Sequence, residues 1–166
     1  LGIVGFGRIG QAVAVRAKPF GMHAAYTSRS VKPVVNAKPM PLEQLLSTSD
    51  VISLHVPLTA ETRHLIDKKA IVQMKKTAYL INTSRGPIVD EVALTWALEE
   101  RLIAGAALDV FEHEPNVHKT LLALDNVLLT PHIGSGTVET RTAMADLAAL
   151  NVIEVLSGNS PLTPVL

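Results

Sequence analysis

Cysteine is absent from the 166 residues. That excludes a disulfide framework and any thiolate metal site, and it is compatible with a reducing compartment. A charge surplus is absent too: 15 lysines and arginines balance 15 aspartates and glutamates. The chain therefore has neither the basic excess of a nucleic-acid binder nor an acidic tail. No apolar run approaches the roughly 18 residues of a membrane helix, and no secretory signal is visible. The expectation is a cytoplasmic protein without a metal, a membrane or a nucleic acid as partner. Internal repeats and low-complexity segments are missing as well. Leu1 already lies inside an apolar stretch, so the natural N-terminus is expected upstream, and the silence about targeting carries little weight. What remains suits one domain with a full core. The 48% hydrophobic content and positive mean hydropathy fit a buried parallel sheet.

The first ten residues organise the rest. Leu1, Ile3 and Val4 suit a buried strand and run straight into Gly5-Phe6-Gly7-Arg8-Ile9-Gly10. Ile9 to Lys18 follows as an amphipathic helix with Ile9, Ala12, Val13 and Ala17 on its apolar face. In this strand–turn–helix context the glycines have separate tasks. Gly5 permits the sharp turn, Gly7 lets a pyrophosphate approach the backbone, and Gly10 lets the helix pack closely on the sheet. The unpaired N–H groups of the helix's first turn, aided by its dipole, face the phosphates. The motif in this context points to a bound dinucleotide.

Further along, Gly21 is a helix C-cap and His23 to Thr27 a second strand. Ser28 to Pro41, with Pro33, Pro39 and Pro41, is mostly loop, and Pro41 to Leu46 a short helix. Val51 to His55 is a third strand. Thr59 caps a turn, and Asp67 caps a helix over Lys68 to Met74. Ala78 to Asn82 is a fourth strand. Asp90 caps a helix from Glu91 to Arg101. Ile103 to Leu108 and Val127 to Leu129 are the fifth and sixth strands, and Thr137 to about Leu156 is the last helix, ending near Gly158. Alternating strands and helices predict an α/β, doubly wound parallel sheet of the Rossmann type in three layers. Ligands of such sheets sit at the carboxyl ends of the strands, at the switch point.

The second strand bears on which dinucleotide. NAD-binding versions carry an acid about 20 residues after the glycines. Here that place reads Tyr26-Thr27-Ser28-Arg29-Ser30, without a carboxylate. The hydroxyls of Ser28 and Ser30 and the Arg29 guanidinium suit a 2′-phosphate, so NADP is the expected cofactor, with NAD possible. Polar residues also follow the last three strands. Asn82-Thr83-Ser84-Arg85-Gly86 follows the fourth, Asp109 to Pro115 the fifth, and Thr130-Pro131-His132-Ile133-Gly134-Ser135 the sixth. An arginine, a carboxylate and a histidine on one rim suit reduction of a 2-keto acid. The arginine can hold the substrate carboxylate bidentately. The histidine can protonate the carbonyl oxygen, and the carboxylate can orient the histidine and favour its protonated form. His55, at a strand end near the expected adenine, is the one other histidine set apart; His23, His64, His113 and His118 read as structural or surface residues.

These segments, with Ser49-Asp50-Val51 and His55-Val56-Pro57-Leu58-Thr59, resemble the nucleotide-binding domain of the D-isomer-specific 2-hydroxyacid dehydrogenases. They are most similar to its glyoxylate/hydroxypyruvate reductase branch. The resemblance implies hydride transfer from NADPH to glyoxylate, hydroxypyruvate or a similar small 2-keto acid. It implies that Arg85 binds the substrate, that His132 is the acid/base, and that Glu114, which immediately precedes Pro115, is its partner in place of Glu112. It places Phe6 to Ile9 around the pyrophosphate and Val56 and Pro57 beside the adenosine. Thr83 and Ser84 would lie on the nicotinamide side, with Asp109 on the carboxamide. Thr62, Gly134, and also Arg85 and His132, would lie along the cofactor. Ser28 replaces the acid of the NAD-using members. The family's substrate domain is absent, so residues 1–166 are expected to be the dinucleotide-binding domain alone, pairing in a homodimer. A cofactor-sensing corepressor-like protein and a dehydrogenase of another 2-hydroxy acid remain the alternatives.

Overall fold

The computed structural model describes residues 1–30 and 37–164. It falls into two compact units, Leu1–Pro131 and His132–Leu166.

The first unit is built on a seven-stranded sheet. Its strands are β1 (Gly2–Val4), β2 (Ala24–Thr27), β3 (Ala37–Pro39), β4 (Val51–Leu54), β5 (Tyr79–Asn82), β6 (Gly105–Leu108) and β7 (Val127–Leu129). They lie in the order β3-β2-β1-β4-β5-β6-β7, and every neighbouring pair is parallel. The chain moves outward from β1 to β3, then crosses to β4 on the other side of β1. The switch point is therefore between β1 and β4.

Side chains alternate across the sheet. On one face Val4, Ile52, Leu54, Leu80, Ala106 and Leu108 share a core with Leu45 and Leu46 of α2 (Leu42–Thr48). The same core takes in Ala70 and Ile71 of α3 (Lys68–Val72) and Leu94, Ala97 and Leu98 of α4 (Glu91–Glu99). On the other face Ile3, Phe6 and Tyr26 pack with Ala14 of α1 (Arg8–Ala17). Helices thus flank both faces of the Rossmann sheet predicted from the alternation.

Capping follows the residues expected to do it. The Asp67 carboxylate accepts the Ala70 N–H, Asp90 accepts the Ala93 N–H, and Gly21 closes its turn at φ 72°. Several boundaries differ from expectation; α3 ends at Val72, before Met74, and β6 begins at Gly105, after Ile103. The Ser28–Pro41 stretch holds a strand, β3, whose Ala37, Lys38 and Pro39 pair with Ala24, Ala25 and Tyr26; residues 31–36, including Pro33, lie outside the described residues. Pro39 donates nothing to the ladder and is tolerated because β3 is an edge strand. His23 stands outside β2, and its carbonyl accepts the Leu1 amino group at 2.8 Å. α2 begins and ends later than Pro41 to Leu46, spanning Leu42–Thr48. α4 stops at Glu99 because Arg101 takes a left-handed backbone, φ 51°.

The second unit contains α5 (Val138–Leu156), capped by the Thr137 hydroxyl, which accepts the Thr140 N–H at 3.2 Å. The Asn151 amide pairs in both directions with Thr163, accepting its N–H and donating to its hydroxyl, each at 3.0 Å. That pairing folds the segment after the helix back onto it.

Candidate active site

A cleft of about 490 Å³ opens at the switch point. The turn after β1 supplies Gly5, Phe6 and Gly7, the end of β2 supplies Ser28, Arg29 and Ser30, and the segment after β4 supplies His55, Val56, Pro57, Thr59, Glu61 and Thr62. Local geometry explains the turn. Gly5 has φ 94°, and a Cβ there would stand 2.6 Å from the His55 carbonyl carbon. Gly10 lies against the Gly5 carbonyl and the Ile3 side chain, so α1 sits as close to β1 as expected. Gly7 differs: a Cβ there would meet no protein atom within 4 Å. The protein's own packing gives no reason for glycine at that position, whereas a pyrophosphate lying on the backbone does. No side chain caps α1, which leaves its first-turn N–H groups available to an anion. These residues fit a dinucleotide.

Each predicted contact has a definite setting. Phe6 is buried and its ring stacks on Tyr26 with centroids 3.9 Å apart, so it faces the cleft through its backbone. Arg8 and Ile9 are exposed on α1 and line an adjoining groove with Gly7 and His55. Ser28 Oγ donates to the Ser30 carbonyl and bends the segment that presents Arg29. His55 Nε2 lies 2.9 Å from Ser53 Oγ, and burial pushes its pKa down. The cleft wall therefore holds a neutral imidazole at neutral pH. The Thr62 hydroxyl is committed locally: it accepts the Thr59 N–H at 2.7 Å and donates to the Pro57 carbonyl at 2.6 Å. It shapes the wall and closes the turn assigned to Thr59. Glu61, not foreseen, also lines this cleft. The Thr59 hydroxyl, its own backbone N–H and the Arg29 charge hold its carboxyl below the usual range.

The remaining residues lie after β5, β6 and β7. Thr83 and Arg85 are exposed, and one Arg85 guanidinium N–H donates to the Ser84 carbonyl at 2.6 Å. Asp109 is buried; its N–H donates to the Asn82 carbonyl at 2.9 Å and its carboxylate accepts the Thr130 hydroxyl at 2.6 Å. The Glu114 carboxylate accepts the Phe111 N–H at 3.0 Å. Arg85, Asp109 and Glu114 all belong to the first unit. His132 opens the second, with a left-handed backbone at φ 54°. Such a conformation is uncommon outside glycine and clusters at functional sites. Gly134 lies two residues on, in the turn that the Gly136 N–H closes onto the Ile133 carbonyl at 2.8 Å.

Residues 1–134 match the D-isomer specific 2-hydroxyacid dehydrogenase, NAD binding domain. The chain belongs to this family. Among its relatives in the 2-hydroxyacid dehydrogenases, a glyoxylate reductase of Thermococcus onnurineus is 54% identical over 169 residues, which covers 99% of this chain and 51% of that protein. Glyoxylate/hydroxypyruvate reductase A of Arabidopsis thaliana is 49% identical over 99% of this chain and 53% of that protein. In structure, an NADPH-dependent glyoxylate/hydroxypyruvate reductase of Sinorhizobium meliloti, solved with NADP and malonate, superposes with a TM-score of 0.96 at 41% identity, covering 99% of this chain and 52% of that one. The chain thus spans about half the length of these relatives.

Within this dehydrogenase domain the structure adds residues that the sequence did not single out. Asn82, buried at the end of β5, accepts the Ser84 N–H and hydroxyl through Oδ1 and donates to the Arg85 carbonyl through Nδ2 at 3.0 Å. It shapes the loop that carries Thr83 to Arg85. The signal was a side-chain amide at the last position of an apolar strand, where a buried polar group needs local backbone partners. Glu112 Oε1 lies 2.6 Å from His64 Nε2, so of the two readings, structural or surface, His64 takes the structural one. Among the described residues no helix is long and apolar enough to cross a membrane.

Proposed function

We propose that the chain is the nucleotide-binding half of a two-domain reductase that passes a hydride from NADPH to glyoxylate, hydroxypyruvate or a similar small 2-keto acid, giving the D-2-hydroxy acid. The observation that carries the reading is the switch-point cleft, where bare backbone at Gly7 stands beside Ser28, Arg29 and Ser30. The names and lengths of the relatives support it, since each relative is about twice as long as this chain. Gly5 to Gly10 would hold the pyrophosphate, Ser28 to Ser30 the 2′-phosphate, and His55 to Pro57 with Thr62 the adenosine side. Thr83, Ser84, Asp109 and Gly134 would line the nicotinamide end. NAD would bind more weakly.

Bound there, the dihydronicotinamide supplies the hydride. The chain's own groups do the rest. Arg85 holds the substrate carboxylate and turns its carbonyl toward the cofactor. His132 delivers a proton to the carbonyl oxygen as negative charge develops on it. Glu114 orients His132. A second domain would close the cleft and exclude water. The working form would be a cytoplasmic homodimer paired through this domain. Exposed Leu147, Leu150, Ile153 and Leu156 on α5 support that pairing.

The test is NADPH oxidation by the complete protein with glyoxylate and hydroxypyruvate. Turnover with either is expected, and Arg85→Ala should lower kcat/KM about 10- to 100-fold or more, the equivalent of about 1.5–3 kcal/mol for a charged contact. NADPH affinity should stay unchanged in that variant. Cofactor binding without turnover of any 2-keto acid would favour the cofactor-sensing alternative.

A further inference from the structure

Two carboxyl groups outside the cleft, Glu91 buried and Glu112 half-buried, tie together segments on which the proposed chemistry rests. Glu91 is the first residue of α4 and is buried. One of its oxygens, Oε2, accepts the Glu112 N–H at 2.9 Å, and the other, Oε1, accepts the His118 N–H at 3.0 Å. A single side chain thus holds both ends of the 112–118 loop. Glu112 reciprocates: Oε2 accepts the Glu91 N–H at 3.2 Å, and Oε1 lies 2.6 Å from His64 Nε2. The Glu112 carboxylate consequently stands at the N-terminus of α4, where the helix dipole favours it.

Glu114 is the third residue of that loop. Behind the loop, Gly86 follows Arg85 directly and lies so close to Phe111 that a Cβ would overlap the Phe111 carbonyl group. The His64 N–H donates to the Pro87 carbonyl at 2.8 Å. Glu91 and Glu112 therefore tie the Glu114 loop to the start of α4 and to the His64 turn, while the Gly86–Phe111 packing and the His64–Pro87 bond hold the segment after Arg85 against them. Such fixing matters for a catalytic side chain, because small misplacements of such groups carry large rate penalties.

We infer that Glu91 is a positioning residue, which fixes Glu114 by clamping the two ends of its loop and is supported in this by Glu112. The inference rests on the proposed role of Glu114. Glu91 touches neither substrate nor cofactor; it acts through the loop. Its loss should therefore fall on kcat and leave binding alone.

The experiment is a double-mutant cycle in the complete reductase. Glu91→Gln keeps the size but sets an amide NH2 against one of the two N–H donors. It is expected to lower kcat about tenfold, with KM for the keto acid and Kd for NADPH within twofold of the original. Combined with Glu114→Gln, it should add less than a twofold further loss, because no carboxylate is left to place. Full kcat in Glu91→Gln, or the same fold loss in both backgrounds, would overturn the inference. If Glu114→Gln itself turns over at the full rate, the role of Glu114 fails and the inference fails with it. Reduced turnover in Glu114→Gln together with full turnover in Glu91→Gln overturns the inference alone. Should Glu91→Gln melt below the assay temperature, Glu112→Gln enters the same cycle. It leaves both Glu91 contacts in place and weakens the reciprocal ones, with the same expected pattern and the same overturning results.

Discussion

Arg29 carries a charge that a ribose with free hydroxyls does not need and a 2′-phosphate does. It stands in the cleft between Ser28 and Ser30, opposite Glu61. In the proposed assignment Arg29→Ala removes one charge-assisted contact, worth about 1.5–3 kcal/mol. NADPH binding should therefore weaken about 10- to 100-fold, while NADH binding changes little. Nicotinamide fluorescence titrations with both cofactors check this, and equal NADPH and NADH affinities before mutation would refute the preference. The missing acid was legible at the residue scale because a type of residue was absent from a fixed place. Glu61 was not, because it lies 32 positions after Arg29 in the sequence and meets it only across the fold.

Among the elements, those with strong local chemistry were readable. Asp67 and Asp90 each cap the helix they precede, since an N-cap needs only a side-chain oxygen and the next three residues. β3 was not readable. Its three residues include a proline, and only its pairing with β2 makes it a strand. The loop after β6 shows the same limit, for its geometry depends on Glu91 and His64 from distant elements. It also carries a pH dependence. Burial raises the Glu112 carboxyl pKa, but hydrogen bonds from His64 and the Glu91 N–H, with the charges of His64 and His113, outweigh burial and hold it below the usual glutamate value. A lowered folded pKa means that the unfolded chain takes up the proton first as pH falls. Glu112 therefore contributes fully above the ordinary glutamate pKa, and the contribution is lost as pH falls through the lowered folded value. Thermal melts should show a Tm difference between the original protein and Glu112→Gln at neutral pH that shrinks in acid. A difference independent of pH would sink this account.

For the whole molecule, the switch-point cleft proposed for the pyrophosphate and the adenosine end lies within Leu1–Pro131, which has its own sheet and cores. The 166-residue chain is accordingly expected to bind NADPH by itself, as a fluorescence titration would show. In the proposed reading, turnover of keto acid should need the complete protein, because a second domain would close the site. Turnover by this chain at the rate of the complete protein would contradict that division of labour.

By itself the sequence determined the alternation of strands and helices, the dinucleotide turn and the chemical types gathered at the strand ends. Those depend on hydrophobic periodicity and on steric demands within a few residues. Only the tertiary structure decided that a seventh strand, β3, pairs with β2 at the sheet edge, and that Glu91 and Glu112 interlock at the loop that carries Glu114. Each of these joins residues far apart in the chain. Such pairs form only when burial removes water as the competing partner, and no local pattern in the sequence encodes them.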